Sequence, residues 1–187
     1  MKVLITGGYG FIGSHIAEKF YNEGHQIFII DNLATGGCEN VRFNHEFYEV
    51  NVADRECAKI FEDNKFDIVV HLAAQINISH SINNPYIDAQ SNILGLVNML
   101  QLSSDHKVKR FIFSSSSPVY GEPINVPISE DTKCAPKSLY GLSKLFGEQY
   151  CMKWKDIFEF QTLCLRLGNV YGPIQGKSGE GGVISLL

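Results

Sequence analysis

The sequence predicts an α/β fold, in which a doubly wound parallel sheet carries helices on both faces. Strand-like apolar runs alternate with helical patterns along the chain, and most of the runs are nearly continuous. Parallel strands that are covered on both faces have this composition, and repeated βα units favour right-handed crossovers. A glycine-rich segment follows the first strand directly, as expected for a turn from a buried strand into a helix.

The elements follow from local pattern in chain order. The run Val3-Leu4-Ile5 marks the first strand, and the run that closes at Ile30 and Asp31 marks the second. Asn84 before Pro85 indicates an N-cap followed by proline at the first helical position. The predicted strands are residues 2–6, 26–31, 46–50, 67–73, 110–115 and 160–167, and the predicted helices are residues 11–22, 54–64, 85–104 and 138–155.

Composition excludes several classes of protein. The 187 residues suffice for one domain with a sizeable core, and a net charge of −4 without a block of like charge argues against nucleic acid or an anionic membrane as the main partner. No apolar run reaches the roughly 18 residues that span a bilayer. A predicted strand follows Met1 at once, so no signal peptide is expected.

The cysteines and histidines predict no metal site. The five cysteines are widely spaced and lack ligand spacing, which predicts reduced thiols and a cytoplasmic location. His71 closes an apolar strand, and we expect it to be a packed strand-end residue rather than a ligand.

The glycine-rich segment predicts a dinucleotide-binding turn. Gly8, Gly10 and Gly13 satisfy G-x-G-x-x-G, and Gly7, Gly10 and Gly13 satisfy a wider spacing. Such glycines permit a tight turn, close approach of a pyrophosphate and close packing of the following helix, whose N-terminus attracts the anion. Asp31, which closes the next strand, favours NAD over NADP because a carboxylate repels a 2′-phosphate. The alternative is a glycine-rich loop that binds no nucleotide.

Two further patterns indicate proton-transfer chemistry. Tyr140 and Lys144 are four residues apart, so on a helix they share a face, where an ammonium group and an oxidised nicotinamide would lower the pKa of the tyrosine. The hydroxyls of residues 114–117 follow the fifth strand, where one of them can hydrogen-bond a reacting sugar oxygen. The alternatives are an exposed helix turn and a serine-rich loop that caps local backbone groups.

Together these motifs resemble the extended short-chain dehydrogenase/reductase family, and within it the nucleotide-sugar epimerases. The resemblance runs from Lys2 to Leu187. Its anchors are the glycine motif, Asp31-Asn32-Leu33, His71-Leu72-Ala73-Ala74, Asn92, Ser114-Ser115-Ser116, Tyr140 with Lys144, and Arg166-Leu167-Gly168-Asn169-Val170-Tyr171-Gly172-Pro173.

The resemblance implies a role for each matching residue. Ser116 matches the catalytic serine, Tyr140 the base and Lys144 the residue that binds the nicotinamide ribose, so these three form the catalytic set. Phe11 and Ile12 would contact the pyrophosphate through their backbone N–H groups. The implied NAD-binding residues are Gly7, Gly10, Phe11, Ile12, Gly13, Asp31, Asn32, Leu33, Asn51, Val52, Leu72, Ala73, Ala74, Asn92, Ser114, Tyr140 and Lys144. The implied substrate-binding residues are Ser116, Tyr140 and Asn169.

Within that set, Asn92 would brace the site from its helix, and Asn169 would approach the substrate diphosphate. Asn51 and Val52 would lie beside the adenine, although Asn51 departs from the acid that the family often has there. Ser117 and Pro118 stand where the related 4,6-dehydratases carry an Asp-Glu pair, and decarboxylases have Glu at the position of Pro118. Both departures argue against dehydration and decarboxylation.

The implied activity is NAD-dependent epimerisation at C4 of a nucleotide-sugar, a UDP-hexose, through a 4-keto sugar. A reductase, a dehydratase or an epimerase that acts at another carbon would share these anchors. A non-catalytic NAD-binding module is the rival from a different class.

The expected domain organisation is an NAD-binding domain over residues 1–170 and the beginning of a substrate lobe over residues 171–187. The chain stops within the apolar run Val183-Ile184-Ser185-Leu186-Leu187, so we expect most of that lobe to be missing. The resemblance also implies a homodimer, in which the helices near residues 85–104 and 138–155 form a four-helix contact.

Overall fold

The described part of the chain forms one parallel sheet of six strands. The computed structural model describes residues 1–122 and 126–175. The strands are β1 (Lys2–Thr6), β2 (Gln26–Asp31), β3 (Glu46–Glu49), β4 (Ile68–His71), β5 (Arg110–Ser116) and β6 (Thr162–Leu167). Their order is β3-β2-β1-β4-β5-β6, which is that of a Rossmann-type, doubly wound sheet, so the predicted fold class is confirmed.

Six helices connect and cover the strands in the described ranges. They are α1 (Phe11–Asn22), α2 (Cys57–Asp63), α3 (Ile78–Asn83), α4 (Pro85–Ala89), α5 (Gly95–Asp105) and α6 (Leu139–Phe158), and a π-helical segment, Gln90–Leu94, joins α4 to α5. Short 3-10 turns lie at Cys38–Asn40 and Ser117–Tyr120. Between residues 1–122 and 126–175 there is no helix with the length and apolar character needed to cross a membrane.

Alternate residues of each central strand face opposite sides of the sheet. Leu4 and Phe28 pack in a cluster with side chains of α2, α5 and α6. Their neighbours Val3 and Ile27 pack in a second cluster with Ala17 of α1. Because both faces of these strands are buried, their sequences are continuously apolar rather than alternating.

The register of the sheet projects the end of β5 beyond the end of β4. Thr6 of β1 is level with His71 of β4, which is level with Phe113 of β5. The three residues 114–116 therefore extend past the end of β4 and pair only with β6, where Ser116 is opposite Leu167. This extension brings the serine segment to the carboxyl edge of the sheet, where ligands of such folds bind.

The outer strand β6 has one covered and one exposed face. Cys164 packs against the cluster under α6, whereas Leu163 and Leu165 are 47% and 42% exposed. Within the described residues, no helix covers these two leucines.

Several element boundaries differ from those that the sequence predicts. β3, β4 and β6 are shorter than predicted, β5 is one residue longer, α2 begins at Cys57, and α6 continues to Phe158. Parallel pairing sets the strand ends, and the apolar residues just beyond them lie in loops.

The predicted helix over residues 85–104 is interrupted by the π-helical segment. Asn92 lies within it, and the buried Asn92 side chain pairs with the backbone of Gln75, an interaction that no periodicity signals. Pro85 is the first residue of α4 as predicted, but the Asn84 side chain forms no capping hydrogen bond. The sequence prediction missed α3, although its cap, Asn77, accepts a hydrogen bond from the N–H of His80 at 2.8 Å.

Candidate active site

The glycine-rich segment forms a tight turn between β1 and α1. Gly7 has φ +70°, and a Cβ there would lie 2.8 Å from the backbone nitrogen of Ala73 at the end of β4. A Cβ on Gly13 would overlap the carbonyl oxygen of Gly7. Because no side chains fit at these positions, the backbone of the turn is uncovered and α1 begins close to the sheet. A pyrophosphate needs such access to backbone N–H groups. Gly10 occupies the N-cap of α1 without a capping side chain, so the first N–H groups of the helix have no competing side-chain acceptor there.

Asp31 connects the end of β2 to this turn. Its Oδ2 accepts a hydrogen bond from the N–H of Tyr9, its Oδ1 accepts one from the N–H of Leu33, and both distances are 2.9 Å. A carboxylate oxygen has two lone pairs, so both oxygens can still accept from a ribose hydroxyl. The side chain of Asn32 is exposed and accepts from the N–H of Ala34.

The segments after β3 and β4 lie at the same carboxyl edge. The Asn51 side chain accepts from the N–H of Ala53, and Val52 is buried beside Gly95, where a Cβ would lie 2.7 Å from Val52 Cγ2. Leu72 and Ala73 bond through their N–H groups to Thr6, and Ala74 follows in the same half-buried loop.

The structure adds residues to the dinucleotide region that sequence analysis missed. A cavity of about 230 Å³ beside the glycine turn is lined by Gly10, Phe11, Thr35, Gly36, Gly37, Glu39, Asn40 and Ile174. The Asn40 side chain donates to the carbonyl of Tyr9 at 2.8 Å, and a Cβ on Gly36 would overlap the same carbonyl. The adjacent glycines at 36 and 37 are the sequence signal that could have identified this second wall.

Tyr140 and Lys144 lie on the buried face of the first turns of α6. Ser138 caps this helix by accepting from the N–H of Gly141 at 3.0 Å. Tyr140 is 8% exposed and Lys144 is 3% exposed, and the Lys144 Nζ lies 5.9 Å from the centre of the Tyr140 ring. The same Nζ donates to the carbonyl of Ser114 at 2.9 Å, which fixes α6 against the extended end of β5.

Ser116, the last residue of β5, completes this cluster, because its side chain lies close enough to that of Tyr140 to act on the pKa of the phenol. The structure therefore brings Ser116, Tyr140 and Lys144 together at the edge where the dinucleotide turn also lies. The alternative of an exposed helix turn does not fit Tyr140 and Lys144, since both side chains are buried.

Burial controls the ionisation of the two helical groups. It lowers the pKa of Lys144 to about 8, and the charge of Asp88 opposes this change. Burial also raises the pKa of Tyr140, and the nearby Ser116 side chain opposes this change. In the protein without nicotinamide, desolvation of the phenolate dominates, and the ammonium group lies near the ring face. That Lys144 and an oxidised nicotinamide together lower the tyrosine pKa stays a prediction.

A buried polar network lies behind Tyr140 and Lys144. Asn92 accepts from the N–H of Gln75 at 2.8 Å, and its Nδ2 lies 3.1 Å from Asp88 Oδ1 and 3.2 Å from Ser143 Oγ. Asn92 therefore has the contacts of a bracing residue. Asp88 was not predicted, because a carboxylate four residues before an asparagine resembles an ordinary surface position.

A second network ties the helix and strand of the site together. Glu148 accepts from Arg166 at both oxygens, at 2.9 and 2.8 Å, and from Ser115 Oγ at 2.5 Å. Arg166 also donates to the hydroxyl of Tyr120 and to the carbonyl of Glu130. These bonds join α6, β5, β6 and the turn after Ser116, and the bonds to Glu148 and Tyr120 raise the pKa of Arg166.

His71 is a packed strand-end residue, as sequence analysis predicts. It is 1% exposed, its Nδ1 lies 2.8 Å from Thr6 Oγ1, and burial lowers its pKa to about 3. Over residues 1–122 and 126–175 there is no group of three His, Cys, Asp or Glu side chains that could hold a metal ion.

The structure does not bring Asn169 into the catalytic cluster. It is exposed, two residues beyond the end of β6, and in the described part of the chain no hydrogen bond joins it to Ser116, Tyr140 or Lys144. Of the predicted substrate-lobe segment, residues 171–175 are described and residues 176–187 lie outside the described residues.

Comparison with known proteins identifies a consistent group of relatives. A family model described as the NAD dependent epimerase/dehydratase family matches residues 3–187. The putative UDP-glucose 4-epimerase of Methanocaldococcus jannaschii is 38% identical over 185 residues, which cover 98% of this chain and 61% of that protein.

Two solved structures share the fold closely. The UDP-glucose 4-epimerase of Thermotoga maritima, solved with UDP-glucose, has a TM-score of 0.96 and 39% identity. The UDP-glucose 4-epimerase of Thermus thermophilus, solved with NAD, has a TM-score of 0.95 and 38% identity. Each match covers 100% of this chain but only 61% of the solved chain, so the present sequence spans about three fifths of the length of these relatives.

Proposed function

Since this chain belongs to the NAD dependent epimerase/dehydratase family, we propose that the protein is a UDP-glucose 4-epimerase, which interconverts UDP-glucose and UDP-galactose through transient oxidation at C4. The observation that carries the proposal is the burial of Tyr140 and Lys144 beside Ser116, at the sheet edge that also carries the dinucleotide turn. The chain spans 61% of the length of its relatives, so the proposal concerns the activity of the whole protein.

The backbone cradle at Gly7 and Gly13 fits a dinucleotide, because side chains there would fill the space that a pyrophosphate needs. We assign the pyrophosphate to the N–H groups of Phe11 and Ile12 and the adenosine ribose to Asp31. When bound, NAD supplies the oxidation and the re-reduction of the sugar carbon.

The catalytic set divides the proton chemistry between three side chains. Tyr140 accepts the proton of the C4 hydroxyl and later returns it. Ser116, whose side chain lies near Tyr140, orients that hydroxyl. The Lys144 ammonium group binds the nicotinamide ribose and favours the phenolate electrostatically. Residues 117 and 118 carry no acid that could act at C5 or C6, which favours epimerisation over dehydration.

The decisive experiment follows the oxidation step directly. The purified chain is loaded with NAD, and fluorescence in the NADH emission band is recorded before and after addition of UDP-glucose, UDP-galactose or dTDP-glucose. We expect a rise with both UDP-sugars. A rise with dTDP-glucose alone would contradict the UDP-sugar assignment. No rise while NAD stays bound would show that the residues of this chain do not suffice for the oxidation step, so that the chain by itself is a non-catalytic NAD-binding module.

We also propose that the protein is a homodimer. Leu139, Leu142, Phe146 and Tyr150 form an exposed apolar stripe on α6, and Tyr86 on α4 is 75% exposed. Residues at this spacing share a helix face, and an exposed apolar stripe of this length is typical of an interaction surface.

All five cysteines are free of disulfide bonds, which suits the reducing cytoplasm that we propose as the location.

Phe146→Glu is expected to convert the dimer to monomer, because it places a charge in the centre of the stripe. Sedimentation velocity measures the mass of each species at micromolar concentration. Met152→Glu is the matched control, since Met152 is equally exposed but lies on the other side of α6. A monomeric parent chain, or an unchanged dimer in Phe146→Glu, would contradict the proposed interface.

A further inference from the structure

Asp88 is a buried carboxylate on the short helix α4. Asp88 is only 3% exposed, and its Oδ1 accepts hydrogen bonds from Gln75 Nε2 and Asn92 Nδ2, both at 3.1 Å. A charged group in the interior is costly unless it is paired or hydrogen-bonded, so its position needs a physical reason.

The hydrogen bonds of this network lead from Asp88 to the turn of α6 that carries the catalytic set. Asn92 Nδ2 lies 3.2 Å from Ser143 Oγ, and Ser143 in turn donates to the carbonyl of Tyr140 at 2.9 Å. Lys144 follows Ser143 in the chain. The carboxylate is thus connected through two side chains to the backbone between Tyr140 and Lys144.

The charge of Lys144 gives a physical reason for burying a carboxylate at Asp88. Its ammonium group is buried and donates to one carbonyl, that of Ser114, while its Nζ lies 5.0 Å from the centre of the Phe113 ring. His71, which also lies close enough to interact with Lys144, is neutral at pH 7 because its pKa falls to about 3. Among the described residues, Lys144 forms no direct salt bridge, and the negative charge of Asp88 acts on it from a longer distance.

We propose that Asp88 is a positioning residue for Tyr140 and Lys144: its carboxylate is the counter-charge that keeps the Lys144 ammonium group protonated in the interior, and it holds their helical turn through Asn92 and Ser143. This inference rests on the proposed function only in assigning chemistry to that pair. The hydrogen-bond network between Asp88 and this turn of α6 is a property of the protein without cofactor or sugar.

The other groups that face Asp88 act in opposite directions. Burial raises its pKa, while the nearby Ser143 hydroxyl, the hydrogen bond from Gln75, the charge of Lys144 and the neighbouring His80 oppose this change. The charge of Asp88 in turn raises the pKa of Tyr140. Removing the carboxylate therefore acts on both members of the catalytic pair, and most directly on Lys144.

The test is Asp88→Asn, which removes the charge but keeps an oxygen that can accept from Gln75 and Asn92. Lysines labelled with ¹³C at Cε are titrated by NMR in the purified chain, and Lys144 is assigned by its absence in Lys144→Arg. We expect the pKa of Lys144, about 8 in the parent chain, to fall by about one unit in Asp88→Asn. Asp105→Asn, an exposed carboxylate on α5, is the matched control and should leave the titration unchanged.

The reciprocal variant keeps the proposal testable if Asp88→Asn does not fold. Lys144→Met should raise the pKa of Asp88, measured through its labelled carboxyl carbon, because coupling between two groups is mutual. Unchanged titration of Lys144 in a folded Asp88→Asn, or of Asp88 in Lys144→Met, would overturn the proposal. Neither measurement uses NAD or a sugar, so the outcome is separate from that of the fluorescence experiment.

Discussion

Tyr140→Phe is expected to reduce sugar-dependent NADH formation by about 10³-fold, because it removes the only phenol in the catalytic cluster of the described residues and with it the general base. Stopped-flow fluorescence with UDP-galactose measures the rate. The substitution deletes one oxygen and keeps the buried ring, so the fold and NAD binding should persist. Tyr150→Phe, on an exposed part of the same helix, is the control and should retain the parent rate.

The pH dependence of the parent chain gives a second readout of the same group. Burial raises the pKa of Tyr140, so the phenolate is scarce at neutral pH and its fraction grows as the pH rises. The rate of NADH formation should therefore increase between about pH 6 and pH 8. A residual rate in Tyr140→Phe that shows the same increase would mean that another group is the base.

Glu148→Ala is expected to lower the free energy of unfolding by about 3 kcal/mol, since it leaves the half-buried guanidinium group of Arg166 without its counter-charge. The change breaks three hydrogen bonds, two from Arg166 and one from Ser115, that join α6 to β5 and β6. Urea denaturation followed by circular dichroism measures the effect.

Two variants define the origin of this effect. Asp156→Ala breaks an exposed ion pair with Lys153 on the same helix, and we expect a loss below about 1 kcal/mol. The double change of Glu148→Leu with Arg166→Met should recover most of the lost stability, because an apolar pair leaves no unpaired charge. Equal losses in Glu148→Ala and Asp156→Ala would show that the buried pair contributes no more than a surface pair.

Together, the two buried networks account for the position of the catalytic set. Ser115, held by Glu148, immediately precedes Ser116, while Ser143, held by Asn92, immediately precedes Lys144. Ser116 and Lys144 therefore each have a neighbour fixed by a buried hydrogen bond. Such preorganisation is what a site requires if its charges are to act without rearrangement.

The sequence by itself determined the fold class, the strands and the dinucleotide turn. Runs such as Val3-Leu4-Ile5 bury every side chain as central parallel strands. Gly10 and Gly13 are required by contacts with Gly7 within the same turn, so their spacing is a local signal. The spacing of Tyr140 and Lys144 likewise predicts a shared helix face, because it depends on the helical repeat alone.

Tertiary structure alone decided which polar residues are buried and what they contact. Asp88 and Glu148 look like surface residues in the sequence, yet both are buried, because α4 packs against α6 and α6 packs against the sheet, which places each carboxylate opposite a group from another element. The π-helical turn at Asn92 and the raised pKa of Tyr140 have the same origin. Local pattern encodes periodicity, whereas desolvation and charge pairing depend on which elements meet, and the strand order of the folded sheet fixes that.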